Sequence, residues 1–430
     1  MIINTPLDTT AAPHTQYSTQ RRWLMLAVLF LVATCSYLDR HIVAVLLEPI
    51  KKEFGASDTQ LGLLTGFAFA AFYATLGIPV ARWADRGNRR LVVTLSLVVW
   101  SGFTALCGIT ASFWQLALAR VGVGAGEAGA IPPSQSLIVD YFPPERRGLA
   151  LAIFMSSGTT GYLIAFIGGA ALAASHGWRV ALLVVGLPGL ALALLTHFAL
   201  DEPRQRVAAP ASATVPAGLL RTLGELRAKR SYLWLLAGAA LYGVVAYGSV
   251  IFLPSFMVRS LGVALTDIGL VFGLTSAAGA LAGTLAGGWT ADRLARRDVR
   301  WYAWLPALAC LASLPFQTAA LLSQSFTSFL PLSWIGGIFL GLGAPSMFAA
   351  LHAVCGSSRR SLAVAVFTFT MSLIGSGFGP LITGAVSDAL APRLGVESLR
   401  YAMLFCTLFL VPTAWVLYRC GRAMPRDIEA

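Results

Sequence analysis

Trp83-Ala84-Asp85-Arg86-Gly87-Asn88-Arg89-Arg90 follows an apolar run at 59–81 and returns as Thr290-Ala291-Asp292-Arg293-Leu294-Ala295-Arg296-Arg297 after an apolar run at 267–289. A second pair repeats in the same way, Arg146-Arg147-Gly148-Leu149-Ala150-Leu151-Ala152-Ile153-Phe154 against Arg359-Arg360-Ser361-Leu362-Ala363-Val364-Ala365-Val366-Phe367. The offsets, 207 and 213 residues, nearly agree, as duplication of one unit requires. Six apolar runs separate equivalent points, and because six is even the two copies run parallel.

The apolar runs dominate the composition. Hydrophobic residues make up 57% of the 430 and charged residues 12%, about half the charged share of a soluble domain. Too few charges remain to cover a globular surface in water, and 42 Gly and 21 Pro suit membrane helices, which tolerate both. A soluble enzyme is excluded. The net charge of +12 could attract nucleic acid, but the basic residues fall in short clusters between runs of about twenty apolar residues, the length that crosses a ~30 Å hydrocarbon layer. Charge placed in this way reports topology, so no nucleic-acid partner is expected. Six cysteines without a CxxC and five histidines without a cluster predict neither a metal nor a cofactor.

Twelve spans are predicted near 23–48, 59–81, 91–111, 113–139, 148–174, 178–199, 232–257, 267–289, 302–323, 328–354, 361–386 and 399–419. The domains follow: a tail at 1–22, a six-helix bundle at 23–199, a linker at 200–231, a second bundle at 232–419 and a tail at 420–430. With the termini inside, 23 of the 31 Lys and Arg lie on the cytoplasmic side. Six lie opposite, namely Lys51, Lys52, Arg179, Arg259, Arg393 and Arg400. Cytoplasmic loops retain positive charge, so both termini are expected in the cytoplasm. The tail before the first span carries no cleavage pattern, and that span is expected to stay as an anchor. Three lysines against 28 arginines suggest a GC-rich bacterial gene, hence a bacterial inner membrane. The basic segment from Leu219 to Arg230 reads as a solvated linker or, less readily, as a helix on the anionic leaflet.

The Asp-Arg-x-x-Arg-Arg loops, the Arg120-x-x-x-Gly124-x-Gly126 run and the 6+6 layout resemble the major facilitator superfamily over nearly the whole chain. Tyr37-Leu38-Asp39-Arg40, Asn88 where many members have Gly, and Gly126-Glu127-Ala128-Gly129 are similar to its Spinster branch. The sequence departs from the superfamily pattern at Ala81, which replaces a loop Gly, and lacks the span-five Gly-Pro signature of drug-proton antiporters, which weighs against multidrug efflux. The resemblance implies an all-α membrane protein of two pseudo-symmetric six-helix bundles that rock about a central cavity. Asp85 and Asp292, with Arg86, Arg89 and Arg293, would then lock the cytoplasmic ends when the cavity faces outward; simple ion pairing at helix ends is an equal reading of these residues.

Of fifty Asp, Glu, Lys and Arg residues, four fall well inside spans: Asp39, Arg40, Arg120 and Glu127, all in the first copy. Such residues cost at least ~2.5 kcal/mol at depth unless paired or hydrated, and commonly line a pathway. At 1.5 Å per residue, Asp39 lies roughly 24 Å from one edge and Arg120 roughly 10 Å from the other, so an Asp39–Arg120 pair is predicted. Glu127 lies two turns from Arg120 on the same face. With both acids ionised the four charges cancel; a proton on Asp39 or Glu127 leaves a positive site, to which Arg can present its planar fork for an anionic head. Asp39 and Glu127 are therefore the candidate proton-coupling residues, and Arg40 and Arg120 the candidate substrate-binding residues. A purely structural ion-pair cluster is the competing reading.

The second copy has no central charge but contains Tyr242, Tyr247, Phe252, Met347, Phe348, Phe367 and Phe369. Of these, Tyr242, Tyr247 and Phe348 are candidate substrate contacts, although packing explains most single aromatics. A charged wall facing an aromatic one suits an amphipathic anion, and the Spinster resemblance implies sphingoid or lysophospholipid-like cargo. The expectation is a monomeric, proton-coupled transporter of a lipid-like organic anion. Carriers of small acids, sugars or drugs on the same fold are the first alternative, and a receptor or intramembrane enzyme the second. Gly124-Ala125-Gly126-Glu127-Ala128-Gly129 spells a nucleotide-binding pattern but lacks its strand, and no Ser sits in a GxSxG elbow, so no enzyme is expected.

Overall fold

The computed structural model describes residues 17–203 and 219–428, apart from the side chains of Ile78, Asp85, 219–223 and 356–361. All regular structure in the described residues is helical. Helix α1 (Thr19–Phe54) starts where Ser18 accepts the Arg21 N–H and stops at Gly55, whose φ of 62° only glycine adopts freely. After a Ser57/Gln60 capping box come α2 (Asp58–Gly62), a π-turn (Leu63–Phe67) and α3 (Ala68–Arg86). Asn88 caps α4 (Arg89–Cys107) by accepting the Leu91 N–H at 3.0 Å. That bond explains an Asn at a position where Gly would leave the helix start uncapped. Then follow α5 (Phe113–Glu127), α6 (Ile131–Tyr141), α7 (Pro144–Ile164), a π-turn (Ala165–Gly169) and α8 (Ala170–Ala199).

The second half has α9 (Leu219–Ala228), α10 (Arg230–Leu261), α11 (Leu265–Asp267), a π-turn (Ile268–Phe272), α12 (Gly273–Ala295), α13 (Trp301–Leu322), α14 (Phe326–Gly341) and α15 (Gly343–Thr370). A longer π-turn (Met371–Phe378), α16 (Gly379–Leu394), a 3₁₀ turn (Gly395–Glu397), α17 (Ser398–Leu408) and α18 (Leu410–Asp427) complete it. The duplication extends to backbone detail. Gly262 ends α10 with φ 63°, as Gly55 ends α1. Ser325 caps α14 as Ser112 caps α5. The four π-turns also fall in equivalent pairs, spans two and eight and spans five and eleven.

Nine stretches among the described residues are long and apolar enough to cross a bilayer. Two of them, Pro144–Ala199 and Leu362–Asp427, contain 56 and 66 residues, roughly 80–100 Å of helix, too long for one ~30 Å crossing. They are interrupted at Gly177 and Gly395, both with positive φ. Helices α5 and α6 add a crossing that Arg120 and Glu127 make less apolar. Counted in this way, the helices accommodate the twelve predicted spans.

Arg21 pairs with Asp201 at 3.4 Å, and Asp427 accepts the Ser231 N–H at 2.7 Å. The far ends of α1 and α10 meet where Arg259 binds Glu48. Both described ends therefore share one face, here the terminal face. Buried apolar residues form three clusters. One spans both halves, from Val32 through Phe256 to Met403; a second contains only second-half residues, and a third only residues 17–200. The halves are thus fused near the far face and carry separate cores toward the terminal face, where they part.

Residues 204–218 of the 200–231 linker lie outside the described residues, but its end does not behave as free linker. Leu226 of α9 is fully buried in the second-half core, and Lys229 donates to the Val354 and Asp427 carbonyls at 2.7 and 3.0 Å.

Candidate functional site

Adjacent residues on α1 point about 100° apart, and α1 uses this to serve two partners. Asp39 turns toward α4 and α5, where Arg120 Nη1 donates to its Oδ1 at 3.1 Å and Thr104 donates to its Oδ2. Arg40 turns to Glu127, its Nε donating to Oε2 at 2.6 Å; Ser36, one turn back, donates to the same oxygen at 2.8 Å. The result is two crossed ion pairs between α1 and α5. Asp39, Arg120 and Glu127 are buried, whereas Arg40 keeps 24% of its side chain exposed. Its guanidinium lies over Tyr73, Phe69 and Tyr37, with Cζ 4.5, 5.2 and 5.5 Å from the ring centroids. Glu127 Oε1 and Arg40 Nη2 are buried with no hydrogen-bond partner among the described residues, an arrangement that structural networks normally avoid.

Between the halves lies a cavity of about 430 Å³. Tyr37, His41 and Tyr162 form its first-half wall; Ser276, Gln317 and Trp334 stand on the other. None of the four charges is among the residues that line this cavity; Asp39, Arg120 and Glu127 are buried, and Arg40 is the member that keeps some exposure. Tyr242 lines the cavity and donates to the Leu340 carbonyl at 2.6 Å. Tyr247 is partly exposed but is not among the lining residues. Phe348 is not among the lining residues; it packs edge-on against Phe367 at 5.1 Å. Gln317, Ser276 and Trp334 carried no sequence signal, because uncharged polar residues are ordinary in membrane helices.

The cavity ends toward the far face in an aromatic floor, with Tyr162 stacked on Phe166 at 4.4 Å and Phe166 against Phe272 from the other half. Beyond it sits an ion-pair latch that sequence reading missed. Arg259 of α10 binds Glu48 at 2.7 Å and Asp58 at 2.8 Å, Lys51 holds Asp58 at 2.5 Å, and Ser387 donates to it at 2.6 Å. Asp388 accepts the N–H groups of Asp58 and Thr59 at 2.9 and 2.7 Å, capping α2 from the opposite half. Replacing Arg259 by Gln is expected to weaken this closure by about 2–3 kcal/mol, between the values for exposed and buried pairs. Spin labels at Lys52→Cys and Arg393→Cys should then report longer distances; an unchanged distribution would remove Arg259 from the latch.

At the terminal face no such bridge exists among the described residues. Asp292 is exposed and meets only Tyr302, 3.4 Å away in its own half. Arg293 lies over Trp289, and Arg86 is exposed. The Asp85 side chain lies outside the described residues. Arg89 differs from the expected gate: it is buried within the first half, bonded to Glu202 at 2.7 Å, Asp140 at 2.7 Å and Ser136 at 2.8 Å. It ties α4 to α6 and to the chain beyond α8.

A duplicated helical bundle with charges buried at mid-depth beside a cavity closed at one face defines a secondary transporter. The family model described as Major Facilitator Superfamily matches residues 29–320. An MFS-type efflux pump of Mycolicibacterium smegmatis is 37% identical over 393 residues, 90% of each chain. The sphingosine-1-phosphate transporter SPNS2 of Danio rerio is 27% identical over 407 residues, 87% of this chain and 79% of its own. A crystal structure of a bacterial homologue of the human lysosomal transporter Spinster, inward-facing and unoccupied, matches with a TM-score of 0.88 at 32% identity, over 96% of this chain and 100% of that one. The chain belongs to the Major Facilitator Superfamily and within it is a Spinster-like transporter.

Proposed function

We propose that the chain moves an amphipathic, lipid-like organic anion across a bacterial inner membrane and couples that movement to protons. The observation that carries this reading is the crossed pair of ion pairs beside the cavity. With Asp39 and Glu127 ionised, the network is neutral and Arg40 is occupied by Glu127. A proton on Glu127 releases Arg40, the exposed member, to meet an anionic head, while the aromatic and small-residue wall opposite accepts a hydrocarbon tail. Asp39 holds Arg120 under the same logic. Tyr242 lines the cavity that such a cargo would enter, and Tyr247 and Phe348, which do not line it, would contribute from behind it. The lopsided basic charge supports placing the terminal face in the cytoplasm, so the cavity faces inward here, and Asp85, Arg86, Asp292 and Arg293 would meet only when it faces out.

A second reading, export of apolar drug-like molecules, is favoured by the relative named as an efflux pump and by the largely apolar cavity. Purified protein in proteoliposomes under an imposed pH gradient separates the two. Gradient-dependent movement of a lysophosphatidic acid, competed by other lysolipids but not by short organic acids or ethidium, is the expected result. Movement of ethidium alone would favour export, and movement of none would overturn the coupling.

A further inference from the structure

We propose that the outward-facing groove between α13 and α18 binds an anionic phospholipid of the surrounding bilayer. The groove has a volume of about 490 Å³ and shares no lining residue with the central cavity. Because α13 runs inward from the terminal face and α18 runs toward it, lining residues on both helices fall into the same layers. Trp301, Trp304, Trp415 and Tyr418 lie near the face, and Leu308, Leu311 and Val411 lie deeper. At about 1.5 Å per residue, Leu311 is some 15 Å further into the membrane than Trp301. Aromatic rings at headgroup level above aliphatic side chains match the polarity profile of a membrane lipid.

Small residues create the space. Ala307 and Ala414 form the floor. A Cβ at Gly421 would sit 2.5 Å from the Trp304 indole, so only glycine lets that ring lie against α18, where it stacks on Tyr418 with centroids 6.1 Å apart and 19° between planes.

Charge decides which lipid fits. Arg300, on the α13 side, has its Cζ 5.7 Å from the Trp304 ring; Arg419, on α18, lies 5.6 Å from Trp415 and 5.4 Å from Trp234. A guanidinium held over an indole can still present N–H groups to phosphate oxygens. Arg419 makes no ion pair among the described residues. Arg300 has one carboxylate nearby, Asp298 at 3.7 Å, but both side chains are about 40% exposed, and a surface pair of that length neutralises little. The Asp298 carboxylate also accepts the Arg300 backbone N–H at 2.9 Å, which holds it at the helix start. Two guanidinium groups over tryptophans that line an apolar slot, one with no ion pair among the described residues and one with only an exposed pair, favour a net negative headgroup such as phosphatidylglycerol or cardiolipin over a zwitterionic one.

Native mass spectrometry of the purified full chain in detergent, titrated with equal amounts of phosphatidylglycerol and phosphatidylcholine, tests this. Wild type is expected to retain phosphatidylglycerol at least fivefold more. Arg300→Ala/Arg419→Ala should lose that preference, whereas Arg146→Ala/Arg426→Ala, which removes the same charge elsewhere, should keep it. Arg300→Lys/Arg419→Lys, which spares folding and keeps the charge but not the planar stack, should fall between. No preference in wild type, full preference in both groove variants, or equal loss in the Arg146/Arg426 control would each overturn the proposal. So would a lipid-free dimer whose interface occupies the groove.

Discussion

Asp39→Asn is expected to reduce pH-gradient-driven uptake to background, at least about 100-fold below wild type in proteoliposomes. Asn keeps the shape of the protonated acid and can still bond Thr104, but it cannot release or accept the proton that a coupling cycle requires. The change also leaves Arg120 buried without a counter-charge, and breaking a buried pair in this way costs about 3–5 kcal/mol. Loss of transport alone would therefore not distinguish coupling from collapse. Asp39→Asn/Arg120→Gln removes the orphan charge together with the acid, so its melting temperature should return toward wild type while coupled uptake stays lost. Glu127→Gln is expected to fold more readily than Asp39→Asn, because the partner it abandons, Arg40, is accessible to water, yet to lose coupling as well. Wild-type pH dependence in any of the three would make the network a structural device.

Gly66→Leu is expected to abolish transport at comparable magnitude for a different reason. At Gly66 a Cβ would lie 2.5 Å from the Gly377 carbonyl oxygen and 2.9 Å from that of Ser376. These are backbone atoms of the opposite half, which cannot move aside as a side chain could. The neighbouring Gly62 presses on the Pro380 backbone in the same way. A leucine at 66 would therefore exclude the far-closed arrangement while leaving each half intact, and thermal stability should change less than transport does. The Lys52→Cys/Arg393→Cys label pair should shift to long distances throughout the population. A wild-type distribution would show that the helices separate without passing through this contact.

The bundle architecture was legible because bilayer thickness imposes a period of about twenty apolar residues and because duplication left matching loops at Asp85 and Asp292. The Asp39–Arg120 contact was legible too, since rise per residue converts sequence position into depth. Helical rotation placed Arg40 away from Asp39, but the Arg40–Glu127 pair could not be read without the relative rotation of α1 and α5. The latch was illegible for a related reason. Glu48, Lys51, Asp58, Arg259 and Asp388 all sit near helix ends, where charges are unremarkable, and only the assembled halves show that five of them meet. Arg89 was drawn toward a gating role by its motif, whereas burial beside Glu202 makes it an internal brace.

The four π-turns lie where the halves touch, residues 63–67 against 371–378 and 165–169 against 268–272. A helix that closes its hydrogen bonds over five residues instead of four carries one surplus residue in that turn, a small reserve of slack. Passing that residue along the helix turns the stretch it moves through by about 100° without unwinding either end. Separation at these four points can therefore draw on torsion within single helices as well as on tilting of whole bundles, and the backbone amides there should exchange with solvent sooner than those of the straight helices alongside.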